Sequence, residues 1–232
     1  GIQPRRPKVI AMNSAILDRL KLGLVLLVLS GVAWGDLVIR VTQGNDSPTK
    51  IAIAPIANAG DALTEDMARI VEADLQRSGL FAVTPREDML SYPTMVKDVY
   101  YRDWRLVGSE YLVVGNMTRM EDGRYAIDFS LLSVTAQKPV FRHQVSGSAE
   151  QMRDLSHLIS DKVYREITGI PGIFSTRIAY VTATQIAERM TYRLHVADAD
   201  GAREKLMLES SEPIMSPAWS PDAKELAYVS FE

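Results

Sequence analysis

The residues of this 232-residue chain that could perform hydrolytic chemistry are its serines, its acids and three histidines, His143, His157 and His195. Hydrolases of the α/β class hold their nucleophile in a Gly-x-Ser-x-Gly turn. The sequence contains no such turn, and Gly147-Ser148-Ala149 lacks the glycines at that spacing. The segment fits the start of a helix better, because Ser148 and Gln151 form a capping box. We therefore expect no catalytic residue.

Metal and cofactor chemistry have no better support in the sequence. The chain has no cysteine, which excludes disulfides, thiolate zinc sites and cysteine nucleophiles. His143 and His195 lie in predicted strands without a partner at ligand spacing, and His157 lies on a predicted helix, where we expect a solvated or half-buried side chain. Adjacent acids such as Glu65-Asp66 point about 100° apart on a helix. We expect no metal, no cofactor and no small-molecule substrate.

Composition points to a globular protein of ordinary charge. Apolar residues make up 47% of the chain, charged residues 24%, and the net charge is −3 at neutral pH. A protein that binds nucleic acid through its overall charge is basic. Nucleic acid is therefore not an expected partner.

The N-terminal part has the pattern of an export signal. Residues 22–34 are thirteen residues without a charge, preceded by Arg19 and Lys21 and followed by Gly35. A membrane-spanning helix needs about 20 apolar residues, whereas a cleaved secretory signal is shorter and ends in small residues. We predict that residues 1–35 are upstream residues and a signal peptide, cleaved between Gly35 and Asp36, and that the product is periplasmic. An uncleaved anchor and a buried core helix are the alternatives.

Residues 36–172 have the alternating pattern of an α/β domain. Amphipathic helices are predicted after Asp61, ending at Ser78-Gly79, and after Ser148, ending at Gly169. A hairpin turn is predicted at Asp122-Gly123. These elements predict a mixed sheet with helices packed on it. The predicted strands cover residues 36–42, 51–56, 81–84, 111–115, 125–134 and 140–146.

The C-terminal part contains a repeat. Residues 177–182, Arg-Ile-Ala-Tyr-Val-Thr, return 48 residues later as residues 225–230, Glu-Leu-Ala-Tyr-Val-Ser. A period of about 40–50 residues with four short strands is typical of β-propeller blades. A propeller needs about 4–8 blades, so we expect residues 177–232 to be the first, incomplete part of a propeller in a longer protein.

The combination resembles the TolB family of the periplasmic Tol-Pal system. The resemblance rests on residues 213–222, Pro-Ile-Met-Ser-Pro-Ala-Trp-Ser-Pro-Asp, on the strand that follows them, and on residues 112–115 and 167–172 upstream. Where the family turn has a glycine after Pro221-Asp222, this chain has Ala223. Exported peptidases also carry TolB-like blades, so the non-catalytic N-terminal part of an exported propeller-containing serine peptidase is the alternative.

The resemblance implies a non-enzymatic adaptor that links inner-membrane Tol proteins to the outer-membrane lipoprotein Pal. Such an adaptor supports envelope integrity and outer-membrane constriction during cell division. The resemblance also implies that a TolA-like inner-membrane protein contacts the N-terminal segment, and that a Pal-like lipoprotein binds mainly through later propeller blades. The alternating side chains of this segment also fit the simpler interpretation that it is only the first strand of the α/β domain. The residues implied in the TolA-type contact are Asp36, Leu37, Val38, Ile39, Arg40 and Val41.

Overall fold

The computed structural model describes residues 47–57, 60 and 65–231. The predicted signal peptide, its cleavage site at Gly35 and Asp36, and the predicted partner-binding segment, residues 36–41, lie outside the described residues. Among the helices that are described, none has the length and hydropathy needed to cross a bilayer.

A five-stranded mixed sheet forms the centre of the α/β domain, as the sequence predicts. Its strands lie in the order β2-β1-β3-β4-β5. Strand β1 lies between β2 and β3 and pairs in parallel with both, and β3, β4 and β5 form an antiparallel meander. The bounds are β1 Thr49–Ile53, β2 Phe81–Val83, β3 Tyr111–Arg119, β4 Tyr125–Ser133 and β5 Lys138–Gly147.

Both faces of this sheet are covered, because successive strand residues point to opposite sides. Ile51, Val113 and Leu131 lie in the core beneath helices α1 (Met67–Arg77) and α3 (Met152–Thr168). On the other face, Leu112 and Val114 pack with Trp104 of the short helix α2, Tyr101–Leu106. The sequence pattern does not predict α2.

The helix ends follow local rules. The side chain of Asp66 caps α1 by accepting a hydrogen bond from the backbone N–H of Arg69 at 3.2 Å. Asp61, the expected cap, lies outside the described residues. The capping box of Ser148 and Gln151 is present as predicted, and the chain leaves α3 through Gly169 at φ 75°. A positive φ is accessible to glycine at little cost.

Five strands of propeller type follow the α/β domain. Strands β6 (Arg177–Ile186), β7 (Arg189–Asp198) and β8 (Lys205–Ser210) form one antiparallel sheet. Strands β9 (Ile214–Trp219) and β10 (Leu226–Ser230) form a hairpin. Strand β9 extends through Pro217 to Trp219, into the segment compared with the family turn, and the turn itself follows, where the backbone N–H of Ala223 donates to the carbonyl of Ser220 at 2.8 Å.

Candidate interdomain site

A cluster of charged side chains joins helices α1 and α3 of the α/β domain to the turn after β7. We call this cluster the junction network. In it Arg203 lies between acids from two different elements, Asp154 of α3 and Asp198 at the end of β7. Its members are Asp74 and Arg77 of α1, Arg153, Asp154 and His157 of α3, and Asp198, Asp200 and Arg203 of the β7–β8 turn.

The turn itself positions two carboxylates. The backbone N–H of Asp198 donates to the carbonyl of Ala202 at 2.9 Å, and Gly201 adopts φ 85° within the turn. The backbone N–H of Ala202 donates in turn to Oδ1 of Asp200 at 3.0 Å. This geometry directs the remaining carboxylate oxygens of Asp198 and Asp200 towards α3.

Arg153, in the first turn of α3, binds both carboxylates. Its Nε donates to Oδ2 of Asp198 at 3.3 Å, and its Nη2 donates to Oδ2 of Asp200. The three side chains are mostly buried, with exposed fractions of 16%, 9% and 12%. Removing one partner of a buried ion pair leaves an uncompensated charge, so the loss of either side of this contact would destabilise the docked position.

Arg203 adds a second guanidinium to Asp198. Its Nε and Nη2 donate to the two carboxylate oxygens of Asp198 at 2.7 and 3.1 Å, and it also binds Asp154 of α3. The hydrogen bond that Arg203 donates to Asp154, followed by those to Asp198, raises the pKa of Arg203 above its already high ordinary value. A two-pronged guanidinium–carboxylate pair of this kind is directional as well as strong.

His157 lies at the buried end of the network. It is 2% exposed, and its Nδ1 is 2.7 Å from Oδ2 of Asp74, whose Oδ1 accepts from Arg77 at 2.7 Å. Its Nε2 has no hydrogen-bond partner among the described residues and faces Oδ2 of Asp200 at 4.0 Å. The imidazole therefore lies between a carboxylate of α1 and one of the β7–β8 turn.

The charges around Asp200 change its acidity. Burial alone would raise the pKa of this carboxyl, but the backbone N–H of Ala202 and the nearby charges of Arg153, His157 and Arg77 hold the pKa below its ordinary value. The docked turn thus favours the ionised form of Asp200.

The same side chains include a triad with metal-ligand atoms. The ligand atoms of Asp74, His157 and Asp200 all lie within 4.8 Å of one another. Arg77 and Arg153 already contact the two carboxylates. A cation entering between them would meet two guanidinium charges, so this donor set fits an ion-pair network better than a metal centre.

A second tether holds the linker between the domains. Asp161 of α3 accepts hydrogen bonds from the backbone N–H groups of Phe174 at 2.7 Å and Ser175 at 3.2 Å. A Cβ on Gly172 would lie 2.5 Å from the Cα of Asp161, so only glycine allows this approach. Phe174 also packs on Tyr164 with ring centroids 5.5 Å apart.

The structure corrects one expectation about single residues. His157 is buried, not solvated or half-buried, because α1 and the β7–β8 turn enclose it. His143 is exposed on β5, whereas His195 is buried on β7 beside Tyr180. The described elements bring together the junction network, which the sequence analysis missed.

One signal in the sequence could have revealed part of the network. Asp74 continues the apolar stripe of α1 formed by Met67, Ile70 and Val71, and it is followed by Leu75. An acid on the buried stripe of a helix requires a buried partner. Its partner His157 is 83 residues away, which no local pattern identifies.

Family models match both parts of the chain. A model described as the TolB amino-terminal domain matches residues 37–140, and one described as the TolB beta propeller domain matches residues 164–232. The two matches lie on either side of the helix α3 residues that form the junction network.

Curated relatives match along most of the chain. The Tol-Pal system protein TolB of Marinomonas sp. (strain MWYL1) is 50% identical over 207 residues, which cover 88% of this chain and 48% of that protein. The protein of the same name from Hahella chejuensis (strain KCTC 2396) is 45% identical over 210 residues, with coverages of 90% and 49%. The chain spans about half the length of these relatives.

A solved structure has the same fold. The crystal structure of TolB from Acinetobacter baumannii superposes with a TM-score of 0.70 at 37% identity. The superposition covers 82% of this chain and 46% of that chain. The similarity therefore extends over both the α/β domain and strands that follow it.

Proposed function

Because the chain belongs to the TolB family, we propose that it acts as a non-enzymatic periplasmic adaptor of the Tol-Pal system. In this role it links inner-membrane Tol proteins to an outer-membrane lipoprotein and supports envelope integrity and constriction during division. The observation that carries the proposal is the order of the two matched domains, joined by a buried charged junction. An adaptor has to transmit force or position between two partners, and a directional ion-pair junction suits that task.

Each end of the adaptor has its own contact. We propose that the N-terminal segment binds a TolA-like inner-membrane protein and that the propeller binds a Pal-like lipoprotein. Leu37, Ile39 and Val41 alternate with Val38 and Arg40 in the segment, so a strand formed by it would present one apolar row to a partner. Addition of such a strand to a partner's sheet edge combines main-chain hydrogen bonds with side-chain selectivity.

The adaptor is favoured over the front part of an exported propeller peptidase. The TolB matches support the adaptor because they cover the α/β domain as well as the propeller strands, whereas blades alone also occur in exported peptidases. Both domains together are what an adaptor with two contacts requires.

The test is isothermal titration of the exported protein against the C-terminal domain of a TolA-like protein. Deletion of residues 36–43 should abolish binding, and Val38→Pro should weaken it almost as much because proline removes a main-chain donor. Val38→Thr is the matched control, since it keeps the donor and the β-branched shape. Unchanged affinity in the deletion and proline variants would overturn this contact.

A further inference from the structure

A groove lies beside β5, the last strand of the α/β sheet. Its volume is about 600 Å³, and it runs between the edge of β5 and the outer side of α3. We call it the β5 groove. The side chain of Leu158 on α3 is 39% exposed in this groove, so the groove contains an exposed apolar surface. Its lining includes Phe141, His143, Leu158, Lys162, Arg165 and Pro171.

The strand that borders the groove has one edge without a described partner. Strand β5 pairs with β4 along Lys138–Gly147, and no described strand pairs with its other side. Every strand has main-chain donors and acceptors on both sides, so such an edge is a template for a further strand. A strand added there would lie over the β5 groove.

The charges in the groove favour one kind of occupant. Lys162 and Arg165 are one turn apart on α3, and neither has a carboxylate within ion-pair distance among the described residues. His143 faces the same groove from β5. The lining contains two acids, Asp161 and Glu166, and Asp161 already accepts hydrogen bonds from the backbone of the linker.

From these observations we propose that β5 and the β5 groove bind an extended acidic segment of a partner protein, which adds to the sheet as a sixth strand. Its main chain pairs with β5, its acidic side chains meet Lys162 and Arg165, and its apolar side chains cover Leu158 and Phe141. Alternate side chains of a strand face the same side, so a segment with alternating acidic and apolar residues matches this surface. The residues proposed for this contact differ from residues 36–41, which are proposed for the TolA-type contact.

The charges of an edge strand can also serve only to prevent self-association. That role requires basic side chains on the edge itself, such as Arg142. It gives no reason for Lys162 and Arg165 to lie unpaired on the neighbouring helix, on the other side of the groove. The experiment separates the two roles.

The probe is a fluorescent ten-residue peptide of alternating glutamate and valine, titrated into the full-length protein by anisotropy. We expect saturable binding that weakens with added salt and does not occur with the matching lysine–valine peptide. Hydrogen exchange should slow at residues 140–146 of β5 when the peptide binds, because strand addition protects main-chain amides. Two further peptides test the main-chain pairing, one N-methylated at every glutamate and the other at every valine. Only alternate N–H groups of an added strand face β5, so one of these two peptides should lose binding.

The protein variant that tests the charges is K162E/R165E, with an expected loss of at least about tenfold in affinity. The control is R189E/K205E, which makes the same charge change at exposed residues of β7 and β8 and should keep wild-type affinity. Circular dichroism must show both variants folded. Equal binding by both charge variants, or no protection of β5, would overturn the proposal.

The occupant could instead be this chain's own N-terminal segment. In that case the peptide would bind only after deletion of residues 36–42, and the proposal of a partner segment would be wrong. Because the assay contains no Tol-Pal protein, its failure would leave the proposed adaptor function untouched.

Discussion

The α/β domain and the propeller strands bury their apolar residues to very different extents. Ile127 and Leu131 of β4 are fully buried, whereas Tyr228 and Val229 of β10 are 44% and 49% exposed. No residue of β6–β10 belongs to either apolar core cluster described for the α/β domain. The α/β domain therefore carries its own core, and the contacts described between this domain and the propeller strands include the ion pairs of the junction network.

This difference shows what kind of contact joins the two regions. Apolar burial is non-directional, so it stabilises a domain without fixing the position of its neighbour. The junction network instead uses guanidinium–carboxylate pairs between the regions: Arg153 of α3 donates to Asp198 at 3.3 Å, and Arg203 of the β7–β8 turn binds Asp154 of α3. Directional contacts of this kind fix the position of the β7–β8 turn on α3.

The largest expected effect breaks the core of the α/β domain. Phe129 packs between the helices and the sheet at 1% exposure, so Phe129→Ala should lower the free energy of unfolding by about 3–5 kcal/mol. Met207→Ala on β8, where the side chain is 57% exposed, should cost less than about 1 kcal/mol. Urea denaturation followed by circular dichroism measures both. Similar losses would mean that the two regions share one core.

The next effect undocks the propeller strands without unfolding the α/β domain. Arg153→Ala leaves Asp198 and Asp200 without their shared cation and should cost about 1.5–3 kcal/mol of docking free energy. Arg69→Ala removes an exposed arginine that lies 3.7 Å from Asp66 and should cost less than about 1 kcal/mol. Hydrogen exchange should speed up in β7 and β8 but not in β3 and β4. Faster exchange in all four strands would contradict separate stabilities.

Docking should also weaken in acid. The folded protein holds the pKa of Asp200 below its ordinary value, so between the two pKa values the undocked chain binds more protons than the docked one. The contribution of Asp200 is therefore fully present above about pH 4 and is lost as the pH falls through the lowered value. Limited proteolysis of residues 169–176 should become faster as the pH falls below about 4 in the wild type.

Asp200→Asn is the control for this acid effect. The variant lacks the titrating carboxyl, so its cleavage should be faster than wild type at neutral pH and should change less with acid. An identical acid response in the variant and the wild type would show that Asp200 is not the group involved.

The smallest effect concerns the turn between β9 and β10. Ala223 adopts φ 55°, a left-handed conformation that costs an alanine about 1 kcal/mol. Ala223→Gly should therefore slow hydrogen exchange in the hairpin, whereas Ala227→Gly in the extended β10 should speed it up. Faster exchange in both variants would show that the turn is not strained.

Local patterns in the sequence predict most of the elements and little of the junction. The strands of the α/β sheet and the capping box at Ser148 follow from alternation and spacing. The left-handed conformation of Ala223 agrees with the sequence comparison, because the family turn has a glycine at this position. Helix α2 was missed because its six residues are too few to establish a helical period.

The junction network could not be predicted in the same way. Arg153 is 45 residues from Asp198, and His157 is 83 residues from Asp74, so their pairing depends on the complete fold. Strand β9 was not distinguished from the turn that follows it, because proline and serine are turn residues, but Trp219 pairs with Leu226 as a strand residue. Pairing between elements decided each of these cases.

A double-mutant cycle between Arg153 and Asp200 tests the central claim most directly. The docking free energy is measured by hydrogen exchange of β7 amides in the wild type, Arg153→Ala, Asp200→Ala and the double variant. Contacting charges are coupled, so the second substitution should cost about 1–3 kcal/mol less when the first is already present. Additive losses in the double variant would contradict the claim that these two side chains hold the propeller strands on the α/β domain.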